Sequence, residues 1–351
     1  MKPYLNTIVN AFTIKPLKHY RFYLNAIYDT MRICLTLAGL LVFVHAWSQS
    51  ADENRSAKII RQNHIKSQVS WDYKYKESKT EKTGIKTSVT VFDASGNISQ
   101  VTTFNPKGAV VNIEKYKYDS HGNKTEYSRY SGSTGPQAAY QKISRYNEKN
   151  LVYEETGYDG VEHFTNLYRY DDKGELNEIR YMKNSVLAEK RIFNQNGSST
   201  QVSIYNGAGV LSSKLVLKYD GHKNLIEEAV YGINQSELEK KTYNYDDRKN
   251  LTEEAKYKLD KVTLKTCYNY NSNGDLVEII EENPGTAKFI KKSYVYDSMK
   301  NLKEISWRRK GSEEFNRIAY SYDASGLCTS TDTWYPATKY KVLTRYTYES
   351  Y

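Results

Sequence analysis

Residues 217–231 read LKYDGHKNLIEEAVY and residues 243–257 read YNYDDRKNLTEEAKY, the same pattern 26 residues later with nine of fifteen positions identical. An Asp, a Lys and two Glu this close together fit an acid/base set, a metal site or one tile of a repeated scaffold. The rest of the chain decides between them. Aligning every copy on the Asp places anchors at Asp93, Asp119, Asn147, Asp171, Asn194, Asp220, Asp246, Asn271, Asp297, Asp323 and Glu349, with spacings of 23 to 28 residues. A period this steady, from about residue 86 to residue 351, marks one repeat architecture and not several domains.

Each copy reads as a β-hairpin. The first strand ends in Tyr-x-Tyr at positions −3 and −1 of the anchor, as in Tyr243 and Tyr245, Tyr268 and Tyr270, or Tyr294 and Tyr296, with a polar residue usually between them. That is the period-2 alternation of a half-buried strand. The anchor opens a tight turn, and three residues on comes Gly (Gly122, Gly174, Gly274) or the pair Lys-Asn (Lys223-Asn224, Lys249-Asn250, Lys300-Asn301). Gly and Asn tolerate the left-handed conformation such a turn requires, which makes Asn224 the expected left-handed residue. The second strand opens with Leu (Leu225, Leu251, Leu276) and runs to an aromatic such as Tyr231 or Tyr257, and a variable turn leads to the next copy. If the turn pairs the anchor with the residue four later, Tyr at −1 faces Leu at +5 and Tyr at −3 faces the acid at +7. Tyr, Leu and Glu then share one face, and a slip of one residue at the Lys-Asn turns sends the Glu row to the other.

The copies also test the catalytic reading. The anchor is Asn at Asn147, Asn194 and Asn271; a general base or metal ligand does not give up its carboxylate, whereas a turn cap loses nothing by the exchange. The acid at +7 (Glu126, Glu154, Glu178, Glu227, Glu253, Glu278, Glu304) recurs hairpin after hairpin, unlike the single carboxylate pair of a glycosidase. These Glu either pair with Tyr hydroxyls or Lys on neighbouring strands, or join the Tyr row in an amphipathic strip that stacks on and hydrogen-bonds to a ligand. The ligand-binding candidates are therefore Tyr243, Tyr245, Tyr268, Tyr270, Tyr294, Tyr296, Glu227, Glu253 and Glu278; no catalytic residue, metal ligand or cofactor is expected. His64, His121, His163 and His222 are scattered, and no zinc, phosphate-loop or nucleophile-elbow pattern appears.

At the N-terminus, residues 31–47 (MRICLTLAGLLVFVHAW) are one Arg followed by an apolar run, with small residues after it. This is the layout of an export signal and shorter than the roughly 20 apolar residues of a bilayer span, so a signal anchor is the weaker alternative. The expected start is Met31, residues 1–50 being a signal with an over-extended beginning, followed by an irregular cap at 51–85 and the repeat domain at 86–351. The first 50 residues hold five of the 51 basic and one of the 41 acidic residues, so the excess falls from +10 to +6. Both signs are interspersed, as on a charged soluble surface and unlike a nucleic-acid stripe. Beyond the signal only Cys267 and Cys328 remain; five strands apart in a meander, about 24 Å, they are not expected to bond. Tyr is the outlier at 34 of 351 residues, an enrichment that favours strands.

The stretches Tyr118-Asp119-Ser120-His121-Gly122-Asn123 and Tyr170-Asp171-Asp172-Lys173-Gly174-Glu175-Leu176, with Tyr219-Asp220 and Tyr245-Asp246 as variants, resemble the YD repeats of the RHS and teneurin-like proteins. The resemblance spans nearly all of the chain after the signal. It implies a spiralling sheet of hairpins in an exported or cell-surface protein, in a family often described as carbohydrate-binding or as shells around toxins. The likeness is divergent, with a longer unit and no core or toxin segment. The expectation is an all-β chain of about ten hairpins forming one long twisted sheet or an open β-solenoid. Its expected role is that of an exported, non-enzymatic envelope or surface module that binds a glycan or a protein and no nucleic acid. The alternatives are an enzyme acting on envelope polysaccharide, with its cleft at the irregular inserts 131–142, 182–190 and 281–289, and a fragment of a toxin-delivery shell.

Overall fold

The computed structural model describes residues 55–76, 79–132, 137–308 and 311–351. The expected signal, its anchor alternative and the Met31 start lie outside these residues. From strand Ile85–Phe92 to strand Tyr340–Ser350 the chain is an unbroken antiparallel meander, each strand bonded to the next. Strand Ile65–Lys76 then pairs with both ends of the meander, with Ile85–Phe92 on one side and with Tyr340–Ser350 on the other. The second pairing runs from Ser67↔Glu349 to Lys74↔Val342. The expected open solenoid or twisted sheet is thus corrected: the chain is a closed barrel of 22 strands, with the short strand Lys79–Thr80 as an extra on Ile65–Lys76. Closure satisfies the backbone groups that an open sheet leaves bare on its two outermost strands.

The repeat explains the hairpins. Asp220 Oδ1 accepts the N–H groups of His222 and Asn224, both at 2.8 Å, while the Lys223 N–H donates to the Asp220 carbonyl. Asn224 Nδ2 closes the ring on Asp220 Oδ2 at 2.9 Å. Asn224 is therefore a side-chain clamp. The left-handed residue is Lys223 (φ 65°), as are Lys249 (66°) and Lys300 (63°), one position before the Asn expected, and Asn150 (58°) holds the same place three residues after its anchor. At Asn271 the partners are exchanged: the anchor is the amide, and Asp275 at +4 is the carboxylate that receives it at 3.1 Å. Asn194 is no anchor, because its strand Val186–Asn196 continues past it to a two-residue turn before Ser199.

After the turn, Tyr219 pairs with Leu225 but Lys218 pairs with Glu227, so Ile226 is an extra residue. The same bulge recurs at Tyr118, Tyr146, Tyr170, Tyr245, Tyr270, Tyr296 and Tyr322. A one-residue slip reverses the faces. The shared Tyr, Leu and Glu face is corrected accordingly: Glu at +7 sits opposite the polar residue at −2, on the face where Lys117 and Arg169 are 70% and 61% exposed. The Tyr face is the covered one, with Tyr243 at 4%, as on the concave side of a closed ring, where side chains converge. Its most buried wall is largely apolar, formed by Ile179, Phe193, Val202, Ile204, Leu215 and Leu217, with Arg191 set between Ile179 and Ile204. A second core lies at the seam, where Ile59 and Ile60 of the helix at 55–62 pack with Ile65, Phe92, Leu327 and Tyr348.

Candidate functional site

The repeated side chains are bonded to one another. Tyr245 donates its hydroxyl to the Leu225 carbonyl at 2.8 Å, Tyr270 to that of Leu251 at 2.9 Å and Tyr296 to that of Leu276 at 3.0 Å. Tyr118, Tyr146, Tyr170, Tyr322 and Tyr348 do the same. Each of these hydroxyls ties a hairpin to the residue at which the preceding hairpin bulges. Tyr243 donates to Glu228 at 3.1 Å, Tyr268 is covered beside Glu254, and Tyr294 lies under Lys292, whose ammonium is 5.0 Å from the ring. Burial pushes the Tyr245 phenol up to about 12, with the charge of Asp220 adding to the effect.

The Glu row is spent outward. Glu227 takes Lys218 at 2.7 Å, Glu253 takes Lys265 at 2.8 Å and Glu278 accepts from Asn269 at 3.2 Å. The same exchange joins Glu126 to Lys117, Glu154 to Arg145 and Glu178 to Arg169. The structure thus parts the candidates: the six tyrosines line the covered face, and Glu227, Glu253 and Glu278 stand on the exposed one.

The Glu-Glu doublets hold a second acidic row, missed by a reading that followed only +7. In a strand, consecutive residues point to opposite faces, so Glu155, Glu228 and Glu254 at +8 turn inward. Glu155 collects Lys142 at 2.6 Å, Tyr168 at 2.8 Å, Ser144 at 3.3 Å and Asn166 at 3.4 Å. Burial acts to raise its carboxyl, yet the Lys142 ammonium together with the Tyr168 and Asn166 hydrogen bonds outweighs that and holds it below the usual carboxylate range. Nearby, Arg191 is 3% exposed, pairs with Glu189 at 2.6 Å and lies 4.9 Å from the Tyr181 ring.

Beside this polar network Tyr116, Tyr127 and Tyr140 on three successive strands, and Phe164 on the strand after next, follow one another with centroid separations of 5.2, 5.6 and 6.2 Å. Gly157 is what admits the last ring, since a Cβ there would stand 2.6 Å from Phe164. Two clefts lie between neighbouring anchor turns. The larger, of about 570 Å³, is lined by Asp246, Arg248, Asn250, Asn269, Tyr270 and Asn271, and the smaller by residues including Asn271, Asp275 and Asp297. Their anchor carboxylates and amides are already engaged as turn caps.

No family model matches the chain, and no curated protein matches it. Among solved structures it is similar to TcdB2-TccC3 without its hypervariable C-terminal region, at 13% identity and a TM-score of 0.28, over 77% of this chain and 19% of that one. It is also similar to a porin-like protein from Bacteroides uniformis, at 12% identity and a TM-score of 0.30, over 81% of this chain and 98% of that one. A porin-like protein from Bacteroides vulgatus gives 12% identity and a TM-score of 0.24, over 81% and 99%. The chain spans about a fifth of the TcdB2-TccC3 chains it resembles. Similarity at this level is weak and assigns neither a family nor a function.

Proposed function

We propose that this protein is an exported, non-enzymatic envelope or surface module whose closed barrel is a rigid scaffold that binds a glycan or protein ligand on its inner face. The observation that carries the reading is the inner strip of Tyr116, Tyr127, Tyr140 and Phe164 beside Glu114, Lys142 and Glu155. Flat rings flanked by carboxylates and an ammonium stack on sugar faces while bonding to hydroxyls, and serve equally for peptide side chains. The apolar run at residues 31–47 supports export. The two faces of the sheet support a barrel in water. A bilayer-spanning barrel presents an apolar outer band about 25 Å tall, whereas here ion pairs recur along the outer face at Lys117, Arg145, Arg169, Lys218 and Lys265.

Glycan arrays and pull-downs with the full chain test this reading, with the Tyr127→Ala plus Phe164→Ala variant as the probe. Loss of a captured glycan or protein in a variant that keeps its barrel circular dichroism supports the inner strip. Capture that survives the substitution removes the strip from the reading, and a wild-type chain that retains nothing on either assay overturns binding as its role.

A further inference from the structure

The two rims of the barrel differ in chemistry. On the rim of the anchor turns the tips are polar, carrying His121, Lys149, Lys173, His222 and Arg248, with Met299 as an exception. On the rim of the variable turns, five successive hairpin tips each hold out one large apolar residue. These are Val161 at 79% exposure, Val186 at 69%, Val210 at 54%, Ile233 at 66% and Leu259 at 80%. Leu259 does so from the left-handed backbone, φ 50°, of a two-residue hairpin turn, a place where Asn or Gly is the usual choice. A rim in water gains nothing from the exposure.

We propose that this rim rests on the surface of a lipid bilayer bearing anionic headgroups, with the five tips inserted at the boundary between headgroup and acyl chain. Three features choose a lipid surface over a protein partner. Successive tips are two strands apart, about 9.6 Å, so their side chains are separate points. A protein interface needs a contiguous packed centre, whereas a fluid interface takes separate apolar groups one at a time. Just behind the tips on the outer face stand Tyr158, Tyr205, Tyr231 and Tyr257, with Lys190 5.2 Å from the Tyr205 ring and Lys240 5.1 Å from the Tyr257 ring. An aromatic belt behind apolar points is the arrangement that settles at the headgroup level.

The charge beside the tips is also right for such a surface. Of the acids, Asp159 caps its own turn, Glu162 pairs with Lys183 at 3.0 Å, and Asp260 and Glu237 share Lys240 at 2.9 and 3.6 Å. Exposed Lys258 and Lys261 stand among them, suited to anionic headgroups. Resting on a bilayer in this way is independent of what the inner face binds, and leaves the charged outer wall in water.

The experiment reads insertion at the tips themselves, so that the apolar run at 31–47, present in every variant, does not decide it. Full chains carrying Ile233→Trp or, on the opposite rim, Met299→Trp are mixed with phosphatidylglycerol vesicles containing brominated acyl chains. The expected result is tryptophan quenching beyond the wild-type level for Ile233→Trp and none beyond it for Met299→Trp. Ile233→Ser plus Leu259→Ser is expected to lower the vesicle partition coefficient about tenfold or more, and phosphatidylcholine vesicles to bind more weakly than phosphatidylglycerol. Equal quenching at both rims, or a serine variant that partitions like wild type, overturns the proposal. So does a sedimentation velocity run in which wild type dimerises without lipid and the serine variant does not, which assigns the rim to a second copy.

Discussion

At Asp220 one carboxylate oxygen holds two backbone N–H groups and the other holds the Asn224 amide. Reversal of that pair at Asn271 and Asp275 shows that a side-chain clamp works with carboxylate and amide in either order, while at Asn147, Asp171 and Asp323 the same turn stands on the backbone N–H bonds to the anchor oxygen without that clamp. Asp220→Asn sets amide against amide and is expected to lower the melting temperature by about 2 °C, and adding Asn224→Asp is expected to restore it, read by differential scanning calorimetry. The same bonds fix the acid behaviour. The Asn side chains at +4, with backbone N–H groups behind them, hold the carboxyls of Asp119, Asp220 and Asp246 below their ordinary 3.8. The folded chain therefore binds these protons more weakly than the unfolded chain. Their contribution is complete above about pH 4 and is lost as pH falls further, so thermal melts from pH 6 to pH 2.5 should drop chiefly below pH 4. Tyr245 gives the opposite sign: its phenol, ordinarily near 10, is raised to about 12 when folded. Its contribution is complete below pH 10 and fades between 10 and 12, and the companion tyrosines are shifted the same way. Alkaline titration at 295 nm should show tyrosinate appearing late and together with unfolding.

In most anchor hairpins the bulge does two things, turning Glu at +7 outward, usually to Lys or Arg, and placing a carbonyl where the next Tyr hydroxyl reaches it. The two bonds are unequal in weight. Lys218 and Glu227 are 52% and 25% exposed, and an exposed cross-strand pair couples by about 0.2–1 kcal/mol. A double-mutant cycle with Lys218→Met and Glu227→Gln should return a coupling in that range, smaller in 1 M salt. Tyr245→Phe removes the hydroxyl from the half-buried Leu225 carbonyl and is expected to cost about 1–2 kcal/mol. Tyr243→Ala, which empties a site 4% exposed, is expected to cost about 3–5 kcal/mol. Urea unfolding that ranks Glu227→Gln as more damaging than either tyrosine change would reverse this assignment of weight. The hairpins themselves were legible in the sequence, because Tyr-x-Tyr, the anchor and Leu recur at fixed offsets. The faces were not, because the extra residue at Ile226 leaves the spacing unchanged and acts only through cross-strand register.

For the whole molecule, closure is the decisive event, and it rests on residues nearly 280 apart in the chain. The seam puts Val69 opposite Thr347, and opposed residues of an antiparallel pair have Cα atoms about 4.5–5.5 Å apart, within reach of a disulfide. Val69→Cys plus Thr347→Cys is expected to crosslink under mild oxidation, running faster on a non-reducing gel; an open sheet would leave the two thiols free. The helix at 55–62 finishes the seam. Arg55 donates to the carbonyls of Met299 and Lys300, and Gly96 lets the helix backbone come close, since a Cβ there would stand 2.2 Å from the Ala57 carbonyl. The inner site follows from closure as well. Its rings and charges come from strands whose order is plain in the meander, but which side of the sheet is concave depends on the ring being shut. The sequence by itself determined where most of the hairpin turns fall and the antiparallel order, since each rests on bonds within a few residues. Only the tertiary structure decided which Glu faces out, which tyrosines are spent on carbonyls and that the sheet ends meet. Those depend on register and on one pairing between distant segments, which no local pattern encodes.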